Sequence, residues 1–299
     1  MQGNLLQIIG SKMSKFSKGQ RAIAAYITAH YDKAAFMTAS RLGEAVGVSE
    51  STVVRFASEV GYEGYPELQH ALQEMIRNKL TSVQRMEVAS EQIGVRDAGE
   101  VLEKVLGADI NNIRRTLELT SKQSFSDAVS TIIAAKNIYI MGGRSAAALA
   151  NFLGFYFNLV FSNVRVVGAS SSSEVFEQLL RIGEGDVLIA VSFPRYSKRT
   201  VRAGDYASKS GADVIAITDS PSAPLAACAT HLLIARSDMA SFVDSLVAPL
   251  SLINALIIAV SLNKKEEVAD TFSKLEHIWD LYNVYEKSDA ASSNELIED

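Results

Sequence analysis

The sequence predicts two folded regions: an all-α domain, followed by an α/β doubly wound domain with a roughly five-stranded parallel sheet. Residues 1–80 indicate the first, because their apolar residues recur at helical spacing. From residue 136 onward, short and nearly continuous apolar runs alternate with helical segments, which indicates the second. A chain of 299 residues is long enough for two domains with a substantial core.

Residues 38–56, TASRLGEAVGVSESTVVRF, predict two short helices joined by a tight turn. Gly43 lies where the helices would cross, Gly47 can take the positive φ that ends the first helix, and Ser49 is a candidate N-cap for the second. The apolar residues that would face inward are Leu42, Val46, Val48, Val53 and Phe56. This layout is that of a helix-turn-helix motif, which places its second helix in the major groove of DNA.

Polar side chains on the outward face of this motif are candidate contacts with double-stranded operator DNA. Those expected to read bases are Ser51, Thr52 and Arg55. Those expected to contact phosphates are Ser49, Lys15, Lys18 and Arg41. Residues 1–80 hold nine Lys and Arg against seven Asp and Glu, whereas the rest holds twenty against twenty-seven. A mildly basic N-terminal region that precedes an acidic remainder fits a DNA-binding domain tethered to a second domain.

Helical segments flank the motif. Ser17 is placed to cap one helix, and Pro66 lies near the first turn of another. Residues 78–98 are polar and suggest a linker, and helical spacing returns over residues 101–120. We therefore divide the chain into a helix-turn-helix domain at 1–80, a linker and connecting helix at 81–120, an α/β ligand-binding domain at 121–286 and a polar tail at 287–299.

Five apolar runs predict the strands of the α/β domain. They are residues 137–141, 164–167, 187–191, 214–217 and 231–235. Each run is short and nearly continuous in apolar residues, as expected of parallel strands that are covered on both faces. The spacing between successive runs leaves room for one crossover helix each.

Ligands of open parallel sheets bind beyond the carboxyl ends of the strands, where helix N-termini point. The candidate ligand-binding residues after the first strand are Gly142, Gly143, Arg144 and Ser145. Those after the third strand are Ser192, Arg195, Ser197 and Thr200, in the segment SFPRYSKRT. Glycines permit close backbone approach, and hydroxyls with cations at a helix start favour an anion such as phosphate. A tight capped turn and a solvated basic turn are the alternative interpretations.

The other strand ends are less informative. Residues 170–173 are serines that end in an N-cap, and residues 218–225 form a proline-rich turn that we interpret as a structural cap. Glu174 and Glu177 lie one turn apart, and either would be a general base in an enzyme. We interpret them as a solvated helix face, and we name no catalytic residue.

Several classes of function lack their sequence signals. No G-x-G-x-x-G follows the first strand and no G-x-x-x-x-G-K-[ST] occurs, so dinucleotide and nucleoside triphosphate cofactors have little support. His30, His70, His231 and His277 are scattered without metal-ligand spacing. We therefore expect no cofactor and no metal.

Cys228 is the single cysteine, which excludes an internal disulfide, and its apolar surroundings suggest a small buried core residue. Residues 245–262 are uncharged and just long enough to span a membrane. Pro249 and Asn254 interrupt them, so we interpret them as a helix in the core or in a subunit interface. The first residues lack the apolar block of a signal peptide, so a cytoplasmic protein without membrane contact is expected.

The combined layout resembles the RpiR-type family of bacterial transcriptional regulators. In that family a helix-turn-helix domain precedes a sugar isomerase (SIS) domain that binds phosphosugars. The N-terminal likeness rests on SKGQRAIAAYI and TASRLGEAVGVSESTVVRFASEVGYEGYPEL. The C-terminal likeness rests on IYIMGGRSAAALA, VLIAVSFPRYSKRTV and VIAITDSPSAPLA.

Two SIS motifs are matched with departures. Gly143 and Ser145 match a G-x-G-x-S beside the sugar, but Met141 stands where the first glycine belongs. Ser192 and Ser197 match the ends of the phosphate motif S-x-S-G-x-T. Between them a proline removes one backbone donor and an arginine adds a charged fork. The ligand is therefore a phosphosugar or another small anionic metabolite, such as a sugar acid.

The resemblance implies a ligand-responsive transcriptional regulator, most often a repressor, that acts as a homodimer or homotetramer. Dimerisation would double the DNA contacts and match a palindromic operator. The alternative is a phosphosugar isomerase-type enzyme with an accessory helical domain, which would need a general base near the sugar.

Overall fold

The computed structural model describes residues 5–77, 83, 86, 97–168, 171–238 and 243–285. These residues form a helical N-terminal region and an α/β C-terminal region, so the predicted fold class is confirmed. Ser170, most of the polar stretch at 78–96 and the predicted tail at 287–299 lie outside the described residues. The proposed domain boundaries stay predictions.

The N-terminal region consists of short helices around one apolar core. The helices are α1 (Leu5–Lys12), α2 (Lys18–Ala29), α3 (Tyr31–Ala34), α4 (Ala39–Val46), α5 (Glu50–Val60) and α6 (Tyr65–Arg77). A short 3-10 turn, Met13–Lys15, joins α1 to α2. The rings of Phe16 and Phe56 lie 5.2 Å apart in the core, where Leu42 and Leu72 are also fully buried. Because Phe56 is on α5, this core fixes which face of α5 points outward.

The turn between α4 and α5 forms as predicted. Gly47 ends α4 at φ 75°, a conformation that L side chains rarely adopt. A Cβ atom on Gly43 would lie 2.7 Å from the carbonyl oxygen of Val48, so the close crossing of the two helices requires glycine there. Ser17 caps α2 in a capping box with Gln20, which confirms the cap predicted for this helix.

The C-terminal region is a five-stranded parallel sheet covered by helices. Its strands are β1 (Ile138–Gly142), β2 (Val164–Val166), β3 (Val187–Val191), β4 (Asp213–Thr218) and β5 (His231–Ile234). The spatial order is β2-β1-β3-β4-β5 and every adjacent pair is parallel. The helices are α7 (Ala98–Leu119), α8 (Lys122–Ala134), α9 (Ala146–Val160), α10 (Ser172–Gln178), α11 (Lys198–Lys209), α12 (Val247–Asn263) and α13 (Lys265–Tyr282).

Alternate strand residues pack into two separate cores, one on each face of the sheet. On one face, Ile140 and Ile189 pack with α8, α9 and α12. On the other, Leu188 and Ala216 pack with α10 and α11. Burial on both faces explains why the central strands β1, β3 and β4 appear in the sequence as nearly continuous apolar runs.

The apolar segment at 245–262 forms most of α12, and its inner face lies in the core, as one of its two interpretations predicts. Leu252, Ile253, Leu256 and Val260 are buried there. No single described helix is long and apolar enough to cross a membrane. The pair α12 and α13 passes on length and composition alone, with a bend of 99° between the helices.

Candidate DNA interface and strand-end site

Helix α5 presents a polar outward face near its N-terminus. Ser51 and Arg55 are exposed, Thr52 is half-buried, and Val53 on the inner side is fully buried. The Arg55 Nε–H donates to the Ser51 carbonyl at 3.2 Å, which lays the arginine along the helix surface. The predicted base readers are therefore accessible on one helix, and we use the name DNA face for Ser49, Ser51, Thr52 and Arg55.

Ser49 occupies the N-cap position of α5, but the predicted cap hydrogen bond is wrong. Its hydroxyl pairs with the Ser51 hydroxyl at 3.0 Å and with the Thr52 hydroxyl at 2.9 Å. The Thr52 N–H donates to the Ser49 carbonyl instead, at 2.9 Å. Because that donor is already used by the backbone, the Ser49 side chain links exposed hydroxyls rather than closing the helix end.

A groove of about 470 Å³ separates the first turns of α2 and α5. Its lining includes Ser17, Gly19, Gln20, Ser49, Thr52 and Arg55. Two helix N-termini therefore border one groove beside the DNA face, an arrangement suited to a phosphate. The sequence interpretation missed Ser17 and Gln20 as groove residues, although their capping-box pattern marked the start of α2.

The predicted phosphate contacts are less closely grouped. Lys15, Lys18 and Arg41 are all exposed, at the 3-10 turn, at the start of α2 and on α4 respectively. Lys18 lies between groove residues in the sequence, whereas Lys15 and Arg41 do not line the groove. These three assignments stay predictions.

The predicted ligand-binding residues gather at the carboxyl edge of the sheet, where β1 and β3 lie side by side. Gly142 is the register partner of Val191, so the segments that follow both strands begin at the same level. The chain leaves β1 for β2 on one side and returns to β3 on the other, which makes this the topological switch point. We call the eight predicted residues the strand-end site: Gly142, Gly143, Arg144, Ser145, Ser192, Arg195, Ser197 and Thr200.

Gly143 packs directly on the first turn of α11. A Cβ atom there would lie 2.7 Å from Ser197 Oγ and 3.1 Å from Thr200 Oγ1. Ser197 is the N-cap of α11, and its hydroxyl accepts the Thr200 N–H at 3.3 Å. The absence of a side chain at Gly143 therefore lets the end of β1 meet the phosphate-motif segment.

Two hydroxyls of the strand-end site are buried without a partner. Ser192 Oγ and Thr200 Oγ1 make no hydrogen bond to the described part of the chain, and the two residues are 2% and 0% exposed. A buried hydroxyl without a partner costs about 1–3 kcal/mol. A polar group that enters this site would recover that free energy.

Two arginines of the site hold an unusual backbone conformation. Arg144 has φ 58° and Arg195 has φ 60°, although neither is glycine. This left-handed region costs roughly 1–2 kcal/mol for an ordinary residue, and such residues cluster at functional sites. Arg144 is exposed and Arg195 is half-buried, so both occur where a strand end turns towards a helix.

Ser145 precedes α9 but does not cap it. Its side chain makes no cap hydrogen bond, and its backbone is already helical at φ −60° and ψ −34°. The alternative interpretation of this segment, a tight turn in which Ser145 caps the helix, is therefore wrong in its cap. Its exposed hydroxyl fits the other expectation, donation to an anion.

The sequence interpretation missed a contact between two strand ends. The Tyr196 hydroxyl donates to Asp219 Oδ1 at 2.9 Å, and the Thr218 hydroxyl donates to the same oxygen at 3.3 Å. Asp219 is 2% exposed. The pair ties the loop after β3 to the end of β4, so residues 218–225 support the site from beside it. A tyrosine within SFPRYS was the only sequence signal for this contact.

The remaining candidates show no catalytic arrangement. Glu174 and Glu177 are both exposed. Cys228 is half-buried rather than fully buried, because it lies on a short 3-10 turn at the edge of the core, and burial raises the pKa of its thiol. Within the described ranges, no group of three His, Cys, Asp or Glu residues could hold a metal ion.

Two family models match the chain. The helix-turn-helix domain of the rpiR family matches residues 3–79, and the SIS domain matches residues 131–259. The fold and these matches define the class: a transcriptional regulator in which a DNA-binding domain precedes a SIS domain. The chain carries the DNA-binding domain of the RpiR family followed by a SIS domain, which are the two domains of these regulators.

Curated relatives agree with this assignment. The HTH-type transcriptional regulator HexR of Escherichia coli is 27% identical over 283 residues, covering 91% of this chain and 93% of HexR. HexR of Pseudomonas aeruginosa is 26% identical over 237 residues, covering 77% of this chain and 78% of that protein. Both are named as transcriptional regulators and not as enzymes.

Solved structures share the fold. The sugar isomerase domain of an RpiR transcription factor from Sphaerobacter thermophilus has a TM-score of 0.56 and 27% identity, covering 60% of this chain and 99% of that domain. The NanR protein of Vibrio vulnificus, solved in complex with ManNAc-6P, has a TM-score of 0.57 and 22% identity. It covers 93% of this chain and 99% of its own.

Proposed function

We propose that this protein is a repressor that binds operator DNA through α5 and responds to a phosphosugar or related anionic carbohydrate metabolite. The DNA-binding form is a homodimer or homotetramer without membrane contact. One observation carries the proposal for the ligand: the buried, unpartnered hydroxyls of Ser192 and Thr200 lie at the switch point of a SIS-type sheet.

The chemistry of the strand-end site supports an anionic ligand. The first turn of α11 supplies a partial positive charge and free backbone N–H groups at the sheet edge. Lys198 and Arg199 begin that helix, and Arg195 precedes it. NanR, which shares the fold, binds ManNAc-6P, a sugar phosphate. The same class of ligand suits a site made of hydroxyls, helix N–H groups and cations.

The DNA face supplies the output. Ser51, Thr52 and Arg55 point outward from a helix whose inner side is held by the N-terminal core. The ligand changes DNA affinity only if it binds one arrangement of the two regions better than another. Ser192, Arg195 and Thr200 bind the metabolite, and release of the operator follows.

A thermal-shift screen tests the proposed ligand class. Purified protein is heated with phosphosugars, with the same sugars lacking phosphate, and with sugar acids. A ligand at a hundred times its Kd stabilises the folded protein by about 2.7 kcal/mol, so a bound metabolite raises the unfolding temperature. We expect phosphorylated sugars or sugar acids to give a shift that the neutral sugars do not give.

The Ser192→Ala variant ties any shift to the site. We expect it to lose the ligand-induced shift and to keep operator binding in a gel-shift titration. Ser222→Ala is the matched control, because Ser222 is an exposed serine after β4 whose hydroxyl pairs with Ser220. Unchanged ligand affinity in Ser192→Ala would place the pocket elsewhere.

A further inference from the structure

Helix α7 directs polar side chains towards the body of the protein. Asn112 and Thr116 are 2% and 7% exposed. The Asn112 amide donates to the Asp238 carbonyl at 3.3 Å, and the Thr116 hydroxyl accepts the Arg236 N–H at 2.8 Å. These hydrogen bonds therefore hold this side of the helix to the segment that follows β5.

These contacts fix the rotation of α7 about its axis. Arg115 Nη1 lies 3.3 Å from Asp238 Oδ2, and the Thr120 hydroxyl, just past the helix end, donates to the Ile234 carbonyl at 2.8 Å. Earlier along the helix, the Ser245 hydroxyl donates to Asp109. Bonds that are spread over three turns hold one face inward, so the directions of the other faces of α7 are equally well defined.

Beside this inward side of α7 runs an exposed apolar stripe. The stripe consists of Leu102, Leu106, Ile110, Ile113 and Leu117, which are 60%, 53%, 58%, 40% and 76% exposed. At 3.6 residues per turn these five side chains share one side of the helix, roughly a quarter turn from the polar side, over a length of roughly 22 Å. Large contiguous apolar patches are rare on monomers and mark interaction sites.

We propose that the α7 stripe packs against the α7 stripe of a second copy of this chain, with the two helices antiparallel. The spacing of the stripe, with steps of four and three residues, is that of a helix that packs on another helix. A two-fold axis near Ile110 makes the stripe self-complementary, because each apolar residue of one half meets the other half of the partner helix.

Charge complementarity favours this occupant. Glu103 and Arg114 are exposed on the same flank of the stripe, one near each end. In an antiparallel two-fold pair the same flanks meet, so Glu103 of one copy lies beside Arg114 of the other. Opposite charges on either side of the centre of the stripe are complementary to a second, antiparallel copy of the same helix. Binding of an unrelated partner would not require this symmetric arrangement.

The inference deepens the proposed function, because it names the surface that forms the homodimer. Its test uses protein free of DNA and metabolite. If the proposed α7 interface proved wrong, the proposals for the DNA face and the strand-end site would therefore still stand. If either of those proved wrong, the proposed interface would still stand.

Analytical ultracentrifugation of the full chain gives the first test. We expect Leu106→Glu with Ile113→Glu to reduce the mass of the assembly at least by half. Leu180→Glu is the matched control, since Leu180 is 71% exposed on the α/β region away from α7, and it should keep the wild-type mass. Circular dichroism checks that each variant is folded. A monomeric wild-type protein, or an unchanged mass for the folded double variant, would overturn the proposal.

Two milder sets of variants test the geometry in folded protein. Glu103→Arg and Arg114→Glu should each weaken association, and the two together should restore it. In a Cys228→Ala background, Ile110→Cys should form a disulfide-linked dimer on oxidation, whereas Leu102→Cys should not, because it lies far from the axis. A crosslink through Leu102→Cys, or none through Ile110→Cys, contradicts the antiparallel pair.

Discussion

The DNA face and the strand-end site both use serine and threonine hydroxyls, but they hold them in opposite states. On the DNA face the hydroxyls of Ser49, Ser51 and Thr52 lie near the surface and pair with one another at 2.9–3.0 Å. In the strand-end site the hydroxyls of Ser192 and Thr200 are buried and have no partner in the described chain.

The difference predicts different responses to substitution. Exposed groups on a helix exchange water for DNA one contact at a time, so each loss is partial and the losses add. Buried hydroxyls carry a cost of about 1–3 kcal/mol each until a fitting group pairs with them, so small changes of shape remove binding altogether. Successive substitutions on the DNA face should therefore lower operator affinity step by step, whereas one substitution in the strand-end site should abolish ligand binding.

The largest effect is expected from Gly143→Val. The Cβ atom alone would lie 2.7 Å from Ser197 Oγ and 2.8 Å from Ser197 Cβ, so the end of β1 and the first turn of α11 must separate. Overpacking of this kind costs about 1–3 kcal/mol and displaces the ligand groups as well. We expect ligand binding to disappear in calorimetry while operator binding persists.

Gly168→Val is the matched control for that substitution. Gly168 follows β2 and is exposed, and a Cβ atom on it would meet no other atom of the described chain within 4 Å. This variant should bind ligand with wild-type affinity. Wild-type affinity in Gly143→Val would instead show that the ligand does not use the junction of β1 and α11.

Most of the sheet could be predicted from the sequence, because the central strands β1, β3 and β4 are buried on both faces and therefore appear as apolar runs. The five predicted strands differ from the observed bounds by at most one residue at either end. The tight turn before α5 was equally clear, since Gly47 at φ 75° and the crowded Gly43 leave few alternatives to glycine.

Contacts made by tertiary structure could not be predicted in the same way. The bond between Tyr196 and Asp219 joins residues on two different strand ends, and no local pattern pairs them. The Ser49 side chain fits an N-cap by residue type, but the competing bond from the Thr52 N–H to the Ser49 carbonyl depends on backbone geometry. The exposed apolar stripe of α7 was visible only as helical periodicity, without the direction in which it faces.

An intermediate effect is expected from Arg55→Ala on the DNA face. Loss of one side chain that reads a base costs about 1–3 kcal/mol and relaxes the preference at that position. A gel-shift titration against operators with single base changes measures both quantities. Arg181→Ala replaces an exposed arginine of the α/β region and should leave both unchanged. If Arg55→Ala behaved like Arg181→Ala, Arg55 would not be a base reader.

The smallest effects separate two serines that occupy the same helical position. The Ser17 hydroxyl accepts the Gln20 N–H and the Gln20 side chain accepts the Ser17 N–H, so Ser17→Ala removes a complete capping box. Loss of a cap of this type costs about 1 kcal/mol of stability. Ser49 makes no such backbone bond, so Ser49→Ala should cost only a few tenths of that amount.

For DNA affinity the order of the two variants reverses. Ser49→Ala should lower operator affinity more than Ser17→Ala does, because the Ser49 hydroxyl lies on the DNA face. Urea unfolding followed by circular dichroism measures the stability of each variant, and hydrogen exchange at the first turns of α2 and α5 localises the loss. A gel-shift titration measures operator affinity. Equal losses of stability in Ser17→Ala and Ser49→Ala would mean that Ser49 closes its helix in solution. Ser49 would then be a structural cap like Ser17, and only the Ser51 and Thr52 hydroxyls would remain as hydroxyls of the DNA face.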